Sequence, residues 1–233
     1  MRKTVNIEGL EDPIVLSRRK GTRSVKLSIS SEGVVKLSVP YGMPEFLAKK
    51  FASDRIEWIL EHRKQPQIIT TGTHIGKSHT LKVENSDISR PSTKLNGMDI
   101  RVRLPLGVDP LSKAAQATVH KACEKALLLE AKNLLPQRLQ HLSQTYSIPY
   151  KSVSVKKLKS RWGACDNHNN ISLNSYLIQL DWALIDYVIC HELAHTIHHN
   201  HSLQFWGLVE KILPDYKALK KQLKSKSTAI FPT

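Results

Sequence analysis

His191, Glu192 and His195 stand in the pattern H-E-x-x-H, and His201 follows six residues after the second histidine. This spacing makes two demands on the fold. Residues four apart on an α-helix are separated by just over one turn, so His191 and His195 must project from one face of a helix. Both imidazoles can then reach a single metal ion, and Glu192, next to the first of them, is placed to hold a water there as general base. The preceding residues agree with a buried helix. Trp182, Ile185, Val188 and Ile189 recur at helical spacing, and Asp181 is a suitable N-cap.

The second demand concerns His201. A catalytic zinc usually takes three protein ligands and leaves the fourth position to water. A helix continued through residue 201 would carry that imidazole up the axis and away from the metal, so the chain must stop and fold back. Asn200 tolerates the left-handed conformation that ends helices, and Ser202 is a fair N-cap for a following helix. His201 is thereby favoured as third ligand, with Glu210 on the next helix as its rival. His198 and His199 read as surface or outer-layer groups. The spacing matches the longer form H-E-x-x-H-x-x-G-x-x-H, but position 198 is His rather than Gly. There is also no methionine after Met98 to supply the turn that accompanies that form.

Four stretches carry a resemblance to a known family. They are Arg18-Arg19-Lys20 through Pro40; Phe51 to Leu60 with Trp58-Ile59-Leu60; Lys159-Ser160-Arg161-Trp162-Gly163-Ala164-Cys165 with Ile171-Ser172-Leu173-Asn174; and Tyr187 to His195 through Asn200-His201-Ser202, then Phe205-Trp206 and Leu213-Pro214-Asp215-Tyr216. They resemble the YgjP-like metallopeptidases, which are related to the WLM and SprT-like zinc peptidases. The resemblance implies zinc ligands at His191, His195 and His201 and a catalytic Glu192. It implies no particular substrate, and residues 66–99 contribute least to it.

Three cysteines, Cys123, Cys165 and Cys190, form no C-x-x-C pair and are odd in number. That argues against a disulfide scaffold and for a reducing compartment. The N-terminus has no apolar h-region, and no run approaches the length of a membrane span, so a cytoplasmic location and no membrane partner are expected. The net charge is +15. The stretch 111–161 is rich in Lys and Arg, with Glu124 and Glu130 as its acidic residues. Such a field attracts anionic partners, nucleotides and nucleic acids included, or simply solvates a helix face. No zinc-finger, helix-turn-helix or RNA-binding signature marks a nucleic-acid module.

The hydrophobic pattern predicts an α+β protein: a small β-rich region over residues 1–110 with one helix, 44–62, followed by residues 111–233, whose sheet–helix–helix order resembles a zincin-like metal-hydrolase domain. In the first region Val25, Leu27 and Ile29 alternate with polar residues, Ser31-Glu32-Gly33 reads as a turn, and Val35, Leu37 and Val39 resume the alternation up to Pro40. Phe51 and Trp58, seven apart, read as core. Short strands are expected over 65–110. Thr71 to Ser78 resembles a phosphate loop only faintly, because three residues rather than four separate its glycines. Residues 111–142 predict a long helix that Pro136 kinks or divides. Strands follow at 148–154 and 171–174, with turn formers between them.

Arg161, in that turn-rich segment, is a candidate to stabilise an oxyanion or hold a substrate anion. Its alternatives are capping a helix or an ion pair with a buried carboxylate such as Asp186. Trp162 reads as core or cleft, and Phe205 and Trp206 as packing behind the metal-bearing helix. The leading functional expectation is a zinc metallopeptidase with Glu192 and Arg161 catalytic and a peptide or protein as substrate. The alternatives are a metal-dependent nucleotide phosphohydrolase and a DNA-associated protein with a structural zinc.

Overall fold

The computed structural model describes residues 2–29, 33–62, 67–158 and 160–226. They form a mixed α+β protein with three small sheets and six α-helices. The chain divides into two compact units, Met1–Gln67 and Ile68–Thr233. Among the described residues no helix is long and apolar enough to cross a membrane.

In the first unit, strands β1 (Arg2–Val5), β2 (Ile14–Arg19), β3 (Lys26–Ile29) and β4 (Val35–Pro40) form a sheet in the order β1-β2-β4-β3. β2 and β4 run parallel, and the other pairs are antiparallel. Ile14 and Leu16 on β2 and Val35, Leu37 and Val39 on β4 point inward at period two and are buried. Most of the turn expected at Ser31-Glu32-Gly33 lies outside the described residues.

The helix expected over 44–62 is two helices, α1 (Glu45–Ser53) and α2 (Ile56–His62). Ser53 and Asp54 stand at the break. Such residues compete with helical hydrogen bonding through their own side chains. The division brings Ala48, Ala52 and Ile59 into the core and leaves Trp58 out of it, 39% exposed and stacked on His62. Phe51 is half-buried under the Arg55 guanidinium. The expectation that Trp58 is core is thus corrected by the break between the helices.

The second unit begins with β5 (His74–Ile75), β6 (His79–Ser86), β7 (Ser92–Asn96) and β8 (Asp99–Pro105), in the order β5-β6-β8-β7. This sheet packs on α3 (Lys113–Tyr146), a helix of 34 residues. Leu81, Ile100, Val102 and Leu104 share one core with Val119, Cys123, Leu127 and Leu135. The second compact unit begins at Ile68, and the strands after residue 67 have their apolar face on α3. Ser112 caps α3 by accepting the Ala115 N–H, and Ser147 ends it in the left-handed conformation. Pro136 lies inside this continuous helix, so it does not divide it.

The glycine-bearing turn at 76–79 does cradle an anion, and the anion is the protein's own. Glu130 of α3 accepts the Lys77 backbone N–H at 2.9 Å and the Ser78 hydroxyl, and His79 approaches to 3.6 Å. Gly76 has φ +71, and a Cβ there would overlap the Glu130 carboxylate.

After α3 come β9 (Ser152–Lys156), β10 (Gly163–Cys165) and β11 (Asn170–Asn174), paired in the order β10-β11-β9. β9 starts later than expected, and β10 arises within the segment read as turns. β11 is parallel to β9 and antiparallel to β10. The hairpin turn between β10 and β11 is closed by Asp166, whose carboxylate accepts the backbone N–H groups of His168 and Asn170 and the Asn170 side-chain amide. Asn169 takes the left-handed conformation there. A short 3-10 turn at Ser175–Gln179 leads into α4 (Trp182–His195), followed by α5 (Leu203–Ile212) and α6 (Tyr216–Lys224).

Candidate metal centre

α4 carries His191, Glu192 and His195 and is buried along most of its length: Leu184, Ile185, Val188, Ile189, Cys190 and Leu193 all belong to the core. Asp181 occupies the N-cap position without making a side-chain capping bond, and Trp182 is 41% exposed. Asp186 fixes the helix in place. Arg138 of α3 donates to its two oxygens at 2.7 and 2.6 Å, a two-point contact that holds α4 against α3. The partner of Asp186 is therefore Arg138, not Arg161.

The helix ends after His195 by a different device from the one expected. Asn200 is not left-handed. Thr196 is the C-cap in right-handed conformation, its hydroxyl donates to Leu193 O, and the backbone N–H groups of Ile197 and His198 close on Ala194 O. The chain then turns back through residues 198–201. Ser202 caps α5 by accepting the Phe205 N–H at 3.3 Å, as its residue type predicts.

This turn brings His201 to the two histidines of α4. One ligand atom from each of His191, His195 and His201 lies within 4.8 Å of the others, and His201 Nε2 stands 3.2 Å from His191 Nε2. Phe205 is fully buried beneath the three rings, with centroid separations of 4.5 to 4.9 Å. Glu210 lies apart from the cluster and pairs with Lys217. His198 and His199 also lie outside the triad, but the His198 carbonyl accepts from His195 Nδ1 at 3.1 Å. That bond fixes the His195 tautomer and leaves its Nε2 free to ligate, an arrangement typical of metal-bound imidazoles.

The donor set suits a divalent metal. Burial, with the charges of His195, His201 and Lys220 adding to it, drives His191 down to about 3. His195 is also lowered, by burial first. Neutral imidazoles are the ligating form. His191 Nδ1 is buried without a hydrogen-bond partner, so its ring is placed by packing against Phe205, Trp206 and Tyr187.

Glu192 is 6% exposed. Burial pushes its carboxyl up to about 8, against the opposing charge of Arg161 and the Cys165 backbone N–H directed at it. β10 forms the wall beside it. A Cβ on Gly163 would stand 2.6 Å from both Cγ and Oε1 of Glu192, so no larger residue fits there without displacing this carboxylate. Pairing shows how β10 is oriented. Trp162 O and Asp166 N bond across to β11, so the alternate residues, Gly163 and Cys165, turn their backbone groups to the free edge.

Arg161 is exposed, with its backbone carbonyl accepting from Asn174 Nδ2, and its charge reaches Glu192. Trp162 is half-buried against the core. The contribution of Gly163 and Cys165 escapes residue-by-residue reading, because a three-residue strand has too short an alternation to register. The glycine between Trp162 and Ala164 was its one local sign.

No curated protein sequence matches this chain. Among solved structures, the crystal structure of the metallopeptidase zymogen of Pyrococcus abyssi abylysin is similar at 24% identity and a TM-score of 0.38, covering 41% of this chain and 97% of that one. The corresponding zymogen of Methanocaldococcus jannaschii jannalysin is similar at 18% identity and a TM-score of 0.35, covering 39% and 93%. The family profile described as YgjP-like, metallopeptidase domain, matches residues 23–226, a span that takes in α4, the turn to His201 and the β10 wall, and the chain therefore belongs to the YgjP-like metallopeptidase family.

Proposed function

We propose that this metallopeptidase is a zinc enzyme of zincin-like core whose ligands are His191, His195 and His201 and whose general base is Glu192. The observation that carries the reading is the convergence of the three imidazoles at a helix face and a turn, with one carboxylate buried beside them. His191, His195 and His201 would hold a zinc ion, which when bound would supply Lewis acidity to a water and to a peptide carbonyl. Glu192 takes the proton from the nucleophile and passes it to the departing amine. The Gly163 backbone lets the carboxylate sit where it does, and the Cys165 N–H orients it. Arg161 supplies positive charge at the mouth of the site. The outer edge of β10, beyond the Cys165 N–H that Glu192 takes, is where an extended peptide binds by adding a strand.

A closed structural zinc site takes four protein ligands, whereas three converge among the described residues. Sites for phosphoryl chemistry commonly gather several carboxylates around Mg²⁺ or a metal pair. The triad here gathers histidines alone. Both features favour the peptidase. The zinc-loaded protein is expected to cleave unstructured polypeptide, to stop on chelation and to recover on zinc addition. Zinc content should fall in His201→Ala and persist in Glu210→Ala. Zinc lost from Glu210→Ala and kept in His201→Ala would overturn the ligand assignment. A fully zinc-loaded protein that hydrolyses a nucleoside triphosphate and no peptide would overturn the reaction assignment.

A further inference from the structure

Behind the imidazole of His201 the molecule has a second feature, which the hydrolytic centre does not use. Trp206 lies parallel to the His201 ring at 5.5 Å. Lys220 Nζ stands 3.9 Å from the Trp206 centroid. Trp206, Tyr216, Lys217, Lys220, Lys221 and Lys224 line a cavity of about 370 Å³. The lysines occupy positions i, i+3, i+4 and i+7 of α6, so they form one stripe on that helix. Tyr216, Leu219 and Leu223 form the neighbouring stripe and pack against the core.

The stripe is electrostatically unbalanced. Lys217 pairs with Glu210. Among the described residues, Lys220, Lys221 and Lys224 have no carboxylate within ion-pair distance. Like charges three or four apart on a helix repel one another, and the helix dipole offsets part of this for Lys221 and Lys224 in the last turn. An arriving anion would relieve the repulsion.

We propose that this basic pocket is a substrate subsite that holds an acidic side chain, Asp or Glu, of the peptide being cleaved. The proposal rests on the peptidase reading and assigns the class of polypeptide that the site prefers. From the His201 ring to Trp206 and on to Lys220 are two short steps of 5.5 and 3.9 Å. Lys220 Nζ therefore lies no farther than about 9.4 Å from the centre of the His201 ring, a distance that roughly three extended residues at about 3.3 Å each can cover. The anchored residue thus lies two to four positions from the scissile bond. A carboxylate fits better than a nucleic acid. Bases are held by stacking on open aromatic faces, but the Trp206 ring already has His201, Tyr216 and Lys220 against it, and Tyr216 is buried. A compact cluster of ammonium groups matches a point anion rather than a long phosphate track.

The test uses the full-length zinc-loaded protein, a randomised decapeptide mixture with cleavage sites read by mass spectrometry, and a triple variant Lys220→Gln, Lys221→Gln, Lys224→Gln beside its Arg counterpart. Wild type should select Asp or Glu at one position two to four residues from the cut. The Gln variant should lose that selection, with KM for an acidic peptide raised about tenfold and kcat retained, and the Arg variant should keep it. A second measurement does not depend on turnover: fluorescence anisotropy of an acidic and a charge-neutral heptapeptide, and of a single-stranded DNA oligonucleotide, on Glu192→Gln protein with and without the Lys changes. Acidic selection that survives the Gln changes, no preference for the acidic over the neutral peptide, or DNA binding that is tighter than peptide binding and abolished by the Gln changes each overturns the proposal. Lysine-dependent binding of the acidic peptide beside a wild-type, zinc-loaded protein that cleaves no peptide would leave an acidic-peptide site but overturn the peptidase reading, and with it the subsite's part in cleavage.

Discussion

Glu130 and Glu192 are both buried to the same extent, 6% exposed, and each lies against a glycine whose missing side chain makes room for it. Their surroundings differ. Glu130 is met by a backbone N–H, a hydroxyl and a histidine, all from one turn. Glu192 has one backbone N–H directed at it and the charge of an exposed arginine, and burial dominates its protonation. A buried carboxylate that is fully hydrogen-bonded joins pieces of a fold. One left short of donors stands ready to take and release a proton. The first pins the β5–β8 sheet to α3, and the second faces the histidine cluster.

The largest effect is expected at Glu192 itself. Glu192→Gln should retain zinc and thermal midpoint while peptide hydrolysis falls by about 10²–10⁴-fold. A substantial residual rate with metal bound would remove Glu192 as the base. The two glycines sharpen the contrast. Gly163→Ala pushes the Glu192 side chain off its position, and a displacement on the scale of 1 Å costs about a hundredfold in turnover. Its zinc content should be unchanged, and if its rate is normal the β10 wall does not position the carboxylate. Gly76→Ala should act on stability instead. A side chain at φ +71 that also displaces Glu130 from its donors is expected to cost about 2–4 kcal/mol in a denaturant titration, with the folded protein retaining its turnover.

Acidity gives a third contrast. The folded-state value of Glu192, about 8, lies above an unfolded carboxylate near 4.3, so the native state binds the extra proton and the metal-free protein must lose stability as pH rises towards 8. Below about 6.5 the depressed His191 and His195 work in the opposite sense, because there the unfolded state binds more protons. The window that isolates Glu192 is therefore roughly pH 6.5 to 8, with an expected decline of about 1–2 kcal/mol. Urea melts of chelated wild type and Glu192→Gln would measure it, and a decline of equal size in both proteins would assign it elsewhere. The smallest effect is expected at Arg161. Its exposed charge is screened, so Arg161→Ala should reduce turnover by only about threefold at physiological salt without moving the thermal midpoint. Arg161→Lys should fall between the two, since a single ammonium lacks the guanidinium's several donors. A loss of rate in step with a loss of stability would make Arg161 structural.

How far the sequence revealed the site depended on how local each requirement was. The i, i+4 pair on α4 is dictated by helix geometry alone. The return of His201 follows from the need to stop that helix, but the means differ: Asn200 points to a left-handed stop, and the chain uses Thr196 and two bonds to Ala194 O instead. Ser202 was legible because capping is a property of one residue and the next three. β10 was not, because a three-residue strand exists only through its pairing with β11. The 44–62 region failed for a similar reason. Its apolar positions fit one helix as well as two, and only the core of the first unit selects the break after Ser53. The turn at Gly76 was rightly denied a phosphate by its spacing, yet nothing nearby announced that Glu130, more than fifty residues on, would fill it.

α3 touches β5, β6, β7 and β8, which precede it in the chain, and β9, the 3-10 turn and α4, which follow it. At about 1.5 Å per residue its 34 residues form a rod some 50 Å long. Neither the strands before this rod nor the histidine-bearing helix after it can complete a core without the rod between them. The second unit should thus melt as one cooperative block, and its slowest-exchanging amides should lie along the middle of α3. For anyone cutting the gene, a fragment starting at residue 68 keeps this block whole. One starting at 111 strips the sheet from one side of the rod, exposes Val119, Cys123 and Leu127, and should be recovered as aggregate even though every histidine of the triad is still present.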